Sequence, residues 1–83
     1  MYEDGKTYLL VIEWEADGEG GAYEFGEAVA PDELRGAILG AEEEARDLLD
    51  ANGSGWVSVL VGVGECVDDV DSENAVKAIT FEA

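Results

Sequence analysis

Residues 56–63 of this 83-residue chain read Trp-Val-Ser-Val-Leu-Val-Gly-Val, the run with the strongest β-strand character in the sequence. Its apolar side chains occupy both sets of alternating positions, and successive residues of a strand point to opposite faces of a sheet. A strand that is apolar on both faces is typical of the buried centre of a sheet. We therefore predict a central strand here, with its partners and its cover supplied by the flanking sequence.

The segment before this strand has helical periodicity. Pro31 suits the first position of a helix, and Asn52-Gly53 supplies a C-terminal stop. Between these signals apolar residues recur every three or four positions: Leu34, Ile38, Ala41, Ala45 and Leu48. We predict a helix over residues 31–52.

Three further segments complete the sheet. Residues 7–15 and 22–29 alternate in polarity on either side of the glycine-rich segment 17–21, which predicts a hairpin with a loop longer than two residues. An acidic loop at 64–74 precedes a last strand at 75–82. The order β-β-α-β-β predicts a two-layer α+β fold, in which a four-stranded, mainly antiparallel sheet carries one helix on one face.

A single helix covers only one face of such a sheet. We expect the helix to pack on these residues: Tyr8, Leu10, Ile12, Tyr23, Phe25 and Val59. The other face carries Leu9, Val11 and Leu60 beside several glutamates. These apolar residues predict either an exposed patch, suited to a homodimer through the open sheet face, or shielding by loops.

Composition narrows the class of protein. The length and the ordered apolar runs predict one domain over residues 1–83 and exclude a disordered acidic tail. One cysteine excludes an internal disulfide and a four-thiolate metal site. No apolar run approaches the roughly 20 residues of a membrane span, and no signal-peptide pattern begins the chain. We therefore expect a soluble cytoplasmic protein.

Charge is the strongest functional signal. The chain has 21 acidic and 4 basic residues, a net charge of -17, whereas solubility needs a magnitude of only about 2 to 8. Four basic residues cannot neutralise a run of phosphates, which argues against direct binding of nucleic acid. The chain has no histidine, and Cys66 lies among acids that disfavour its thiolate. We expect no catalytic residues, no enzyme activity and no cofactor.

The acidic residues concentrate in two segments, and both are candidate partner-binding sites. The helical candidates are Glu42, Glu43, Asp47 and Asp50, and the loop candidates are Asp68, Asp69, Asp71 and Glu73. Glu43, Asp47 and Asp50 follow one side of the helix at steps of about 4.5 to 6 Å, within a factor of two of the roughly 3.4 Å between phosphates. The loop acids form either a continuation of this surface or a separate one.

The loop also resembles the opening of an EF-hand calcium site. Asp69, Asp71 and Glu73 alternate as such ligands do, but the sixth position is Asn74 and the twelfth is Thr80. A functional EF-hand has glycine and a bidentate glutamate at those positions. We therefore predict no specific metal site.

In composition and surface pattern, the whole chain resembles small acidic phage proteins that mimic nucleic acid and inhibit CRISPR or restriction complexes. Such proteins are short single domains with strong negative charge, little cysteine and no catalytic residues. The resemblance implies that carboxylates stand where phosphates would, against the basic side chains of a nuclease or CRISPR effector in the host cytoplasm. A toxin-neutralising antitoxin or immunity protein is a related interpretation.

Adaptation to a salty cytoplasm is the competing explanation of the charge. An excess of acids with only two lysines is typical of proteins from such cells. Glutamate outnumbers aspartate here, however, and the chain has only two threonines, whereas such proteins favour aspartate and threonine. In this alternative the function is unrelated to the acidity, and the sheet face becomes the better clue.

Overall fold

The computed structural model describes residues 6–64, 67–71 and 73–83. The helix and strands are β1 Tyr8–Ala16, β2 Glu19–Glu24, α1 Pro31–Asn52, β3 Trp56–Val63 and β4 Lys77–Glu82. A short 3-10 helix, Val67–Asp69, lies between β3 and β4. The strands form one antiparallel sheet in the order β2-β1-β3-β4, with α1 packed on one face. The predicted α+β fold is therefore confirmed.

The central position predicted for β3 is correct. This strand pairs with β1 from Tyr8↔Val63 to Glu15↔Trp56, and with β4 along its other edge. Residues 57–62 are all buried. Both faces of β3 need apolar residues because the helix covers one face and the loop after β3 covers part of the other.

The loop predicted for the first hairpin is wrong. Ala16 pairs with Glu19, so only Asp17 and Gly18 form the turn, with φ of 53° and 80°. Positive φ at both central positions is the requirement of a type I′ turn, which favours Asp-Gly. Gly20 lies in β2, and glycine suits this position because a Cβ there would lie 2.8 Å from the Trp14 carbonyl oxygen.

β2 is also shorter than the predicted strand 22–29. It ends at Glu24, although the Phe25 N–H still donates to the Leu10 carbonyl at 2.8 Å. Beyond Phe25 the chain leaves the sheet edge and returns at Val29, which exchanges backbone hydrogen bonds of 2.8 and 2.9 Å with Tyr8. Two regions of edge pairing therefore flank one excursion, and the alternating run 22–29 contains the end of the first region and all of the second.

The helix has the predicted bounds. At its start, Pro31 suits the first helical position because its missing N–H needs no acceptor there. Ala30 is the N-cap without a side-chain hydrogen bond, and its carbonyl accepts from the Glu33 N–H at 3.0 Å. At its end, Gly53 adopts a left-handed conformation with φ of 73°, and its N–H donates to the Leu49 carbonyl at 2.9 Å. Local sequence signals thus specify both ends of α1.

The helix-side core agrees with most of the predicted contacts. The buried helical residues are Leu34, Ile38, Ala41 and Ala45, and they pack with Tyr8, Leu10, Ile12 and Val59. Leu48 and Phe25 are partly buried against this core. Tyr23 was predicted to join it, but its side chain is 36% exposed because β2 is the edge strand beyond the cover of the helix.

A second apolar cluster fills part of the opposite face of the sheet. Val70, directly after the 3-10 helix, is buried against Leu9, Val11 and Leu60. Gly62 makes this approach feasible, because a Cβ there would lie 2.9 Å from a Val70 methyl group. The exposed apolar patch is therefore absent, and the alternative of shielding by a loop is correct.

Among the described residues, no helix combines the length and the apolar character needed to cross a membrane.

Candidate functional site

The outward side of α1 carries three of the predicted carboxylates. Glu43, Asp47 and Asp50 are all exposed, and separations of four and three residues place them on one side of the helix. They extend about 10 Å along the helix axis. Glu42 does not join them, because it is rotated by more than a quarter turn and lines a groove on the β4 side.

A groove of about 550 Å³ lies between this acidic side of α1 and the β2 edge. Its lining consists of Tyr23, Phe25, Gly40, Glu43, Glu44, Asp47 and Leu48. The carboxylates come from the helix, whereas the aromatic rings come from β2 and the residue that follows it. A basic side chain entering this groove would meet carboxylates together with aromatic surface.

Tyr23 and Glu44 connect the two sides of this groove. The Tyr23 hydroxyl donates a hydrogen bond of 2.8 Å to Glu44 Oε2. Partial burial, this hydrogen bond and the negative charge of Glu44 together raise the pKa of Tyr23 to about 12. At neutral pH the phenol therefore remains protonated and orients one carboxylate above the sheet edge.

Gly40 gives the groove its shape on the helix side. A Cβ at this position would lie 3.4 Å from Cζ of the Phe25 ring, which is a tight contact. The ring therefore lies directly against a helix surface without a side chain. Larger residues at this position would displace the ring and narrow the space between α1 and β2.

The opposite flank of α1 contains basic side chains. Arg35 and Lys77 line a second groove together with Glu42. Farther along the helix, the Arg46 guanidinium lies 5.2 Å from the centroid of the Phe81 ring of β4, within range of a cation–π interaction. Three of the four basic residues in the sequence thus lie towards β4, whereas none of the described residues that line the groove beside β2 is basic.

The predicted loop acids lie on the other side of the sheet from the helix. Val70 packs on the face opposite α1, so its neighbours Asp69 and Asp71 belong to that side of the molecule. These two aspartates and Glu73 are exposed. The side chain of Asp68 lies outside the described part of the structure. The helical and loop candidates therefore form two separate surfaces.

Asp71 has a structural role in the loop. Its Oδ1 accepts hydrogen bonds of 2.9 Å from the N–H groups of Glu73 and Asn74. The Asn74 side chain accepts from the Asp71 N–H and donates to the Asp69 carbonyl, both at 2.8 Å. Asn74 thus closes a turn at the position where a calcium loop needs glycine, which gives this aspartate a role without any metal.

No group of three or more potential metal-ligating side chains is arranged to hold an ion within residues 6–64, 67–71 and 73–83. Glu65 and Cys66, the acidic-loop residues that precede the 3-10 helix, lie outside these ranges.

Two residues of the β2-side groove were not among the sequence candidates. The alternation of Tyr23 with Glu24 predicts a core position for the tyrosine, and the spacing of the helical acids does not single out Glu44 as a binding residue. Their pairing depends on how the edge strand meets the helix, across a separation of 21 residues. The sequence signal for this pairing is Tyr23 itself, since a tyrosine expected in the core needs a hydrogen-bond partner for its hydroxyl.

Comparison with protein families, with curated proteins and with solved structures found no match to this chain.

Proposed function

We propose that this protein is an inhibitor that binds a basic, nucleic-acid-handling protein and occupies its DNA or RNA site. The observation that carries the proposal is the separation of charge across α1. Carboxylates occupy its outward side and the groove beside β2, whereas Arg35, Arg46 and Lys77 lie towards β4, where Glu42 accompanies them. The target is a nuclease or a CRISPR effector, and the protein is therefore an inhibitor of the anti-CRISPR or anti-restriction type.

The geometry of the helix suits a groove that binds a phosphate backbone. Glu43, Asp47 and Asp50 form an exposed row of about 10 Å, at steps comparable to the spacing of phosphates. A helix holds these charges in a fixed order, so a basic cleft meets them without first ordering a flexible chain. The cost of association is correspondingly lower.

The groove beside this row adds contacts that a phosphate backbone lacks. Tyr23 orients Glu44 through its hydrogen bond, and the Phe25 ring lines the same groove as the carboxylates. An arginine or lysine of the partner could pair with a carboxylate while its alkyl chain packs on the rings. Such contacts strengthen binding to a protein cleft beyond charge alone.

Long-range attraction supports the same function. A net charge of -17 accelerates encounter with a basic cleft and makes the association rate depend strongly on salt. Ion pairs that become buried in the complex contribute up to several kcal/mol each, as coupling energies in other charged interfaces indicate.

The test is competition with labelled DNA or RNA for a candidate nuclease or CRISPR complex, at low and at moderate salt. The variant combines Glu43→Lys, Asp47→Lys and Asp50→Lys. We expect it to lose most of its competition while its circular dichroism spectrum stays unchanged, because all three side chains are exposed.

A matched variant controls for net charge. Glu19→Lys, Glu27→Lys and Glu33→Lys change three exposed acids outside the Glu43, Asp47 and Asp50 row and outside the groove beside β2 by the same total charge. We expect this variant to compete far better than the helix variant. Equal loss in both variants, or no competition by the unaltered protein against any basic target, contradicts the proposal.

A further inference from the structure

The face of the sheet opposite α1 is only half covered. Val70 and its neighbours pack over Leu9, Val11 and Leu60. Beyond these residues the same face continues towards the first hairpin, where Glu15, Trp56 and Glu82 occupy consecutive strands in register. This second half of the face has no cover from the described residues.

Trp56 lies at the centre of the uncovered half, between two carboxylates. The register places Glu15 directly beside it on β1 and Glu82 directly beside it on β4. Glu13 lies on the same face one row further along, opposite Ser58. The tryptophan is partly exposed, and both directly paired glutamates are exposed.

Small residues leave a trough on each side of this tryptophan. The trough over β1 and β2 has a volume of about 460 Å³, and the trough over β3 and β4 has about 370 Å³. Gly20 and Ala22 line the first, and Ala78 lines the second. Trp56 and Glu13 line both, so an extended segment crossing this face would contact the ring and several carboxylates.

The polar groups between the carboxylates are already partnered. Ser58 is buried, and its hydroxyl lies 2.8 Å from the hydroxyl of Thr80 on the neighbouring strand. This pairing leaves the carboxylates and the indole ring as the groups that define what the surface can bind. Within the part of the chain that the structure describes, the residues that line the two troughs include no basic side chain.

We propose that this surface, which we call the Trp56 face, binds an arginine-bearing segment of a partner protein. A guanidinium stacks on a tryptophan ring and forms paired hydrogen bonds with a carboxylate, and the Trp56 face offers both groups side by side. Lysine pairs with a carboxylate only as a point charge, so arginine is the better ligand.

Charge complementarity excludes two other occupants. A second copy of the chain docking by the same face would bring its own Glu13, Glu15 and Glu82 against these residues, and like charges oppose such a symmetric contact. Nucleic acid would be repelled for the same reason. The proposal is independent of the acidic helix, because the two surfaces lie on opposite faces of the sheet.

The experiment compares two synthetic peptides of equal length and charge, one alternating arginine with serine and the other lysine with serine. Binding to the purified protein is followed by calorimetry and by nuclear magnetic resonance of the Trp56 indole N–H, at about 0.1 M salt. We expect the arginine peptide to bind about two- to fivefold more tightly, as a cation–π contact at an exposed site predicts.

Two variants locate the binding. Trp56→Leu keeps the net charge and should bring the affinities of the two peptides close to equality. Glu13→Gln with Glu82→Gln should weaken both peptides more than the matched variant Glu27→Gln with Glu33→Gln, which removes the same charge from exposed positions outside the two troughs and outside the groove beside β2. If Trp56→Leu does not fold, the two glutamine variants still decide the comparison.

The proposal is overturned by an unchanged arginine preference in folded Trp56→Leu, by equal losses in the two charge-matched variants, or by self-association that buries Trp56. Loss of competition by the helix variants alone would bear on the proposed inhibitor function and not on this face.

Discussion

Tyr23 shows how one side chain links the sheet edge to the acidic helix. Its ring lies on β2, outside the cover of α1, and its hydroxyl reaches Glu44 at 2.8 Å. The bond places a carboxylate at a defined position above the groove. An edge residue that looks like part of the core thus becomes part of the candidate binding surface.

The raised pKa of Tyr23 makes this bond measurable. Since the folded-state pKa of about 12 exceeds the ordinary value of 10.0, the stabilising contribution is complete below pH 10 and is lost as pH rises towards 12. We expect the ultraviolet titration of tyrosinate to contain an ionisation step at high pH, the late step, that is missing from Tyr23→Phe.

The variant Glu44→Gln is the control for the cause of this shift. It removes the negative charge and keeps an acceptor, so the late step should move towards the ordinary pKa of tyrosine. A Tyr23 that ionises near pH 10 in the unaltered protein would show that the hydroxyl does not pair with Glu44 in solution.

At the scale of elements, the loop after β3 acts as a partial second layer. It contributes Val70 to a small core on the face that the helix does not reach. The Asp71–Asn74 turn gives the loop a defined shape, and Gly62 leaves room for the valine. The loop acids are thereby held on the side of the sheet opposite the acidic helix.

Val70→Ala tests this layer. Removing two buried methyl groups should lower the free energy of unfolding by about 1 to 3 kcal/mol, from lost burial and the remaining cavity. The matched variant Val76→Ala alters a side chain that is 56% exposed and should change stability by less than about 0.5 kcal/mol. Chemical denaturation measures both, and equal effects would show that the loop does not pack on the sheet.

At the scale of the whole molecule, self-repulsion is the dominant electrostatic feature. The net charge of -17 belongs to a chain whose described Cα atoms have a radius of gyration of 12.3 Å. The Debye length is about 10 Å at 0.1 M salt, so moderate salt screens much of the repulsion across the molecule. The three basic residues on the β4 side relieve it only locally.

We therefore expect the melting temperature to rise between very low salt and about 0.1 M salt, with a fully folded protein at both. Scanning calorimetry across a salt series measures this. In the variant Glu27→Gln with Glu73→Gln the rise should be smaller, since two exposed charges are removed. A requirement for molar salt would instead favour salt adaptation as the origin of the charge.

Local sequence signals are sufficient to identify the helix and the central strand. The helix bounds followed from Pro31, Asn52-Gly53 and the apolar spacing between them, because capping and periodicity act within a few residues. The run 56–63 identified the central strand for the same reason. The exposure of Glu43, Asp47 and Asp50 also followed, since their spacing places them away from the apolar stripe.

The surfaces that these elements form depend instead on tertiary packing. The side of the sheet that Val70 covers, the pairing of Tyr23 with Glu44, and the row of Glu15, Trp56 and Glu82 all join residues far apart in the chain. Such contacts depend on strand order and register, which are set by how the whole core packs and not by any local pattern. For that reason the acidic residues of one sequence form separate surfaces on the two faces of the sheet.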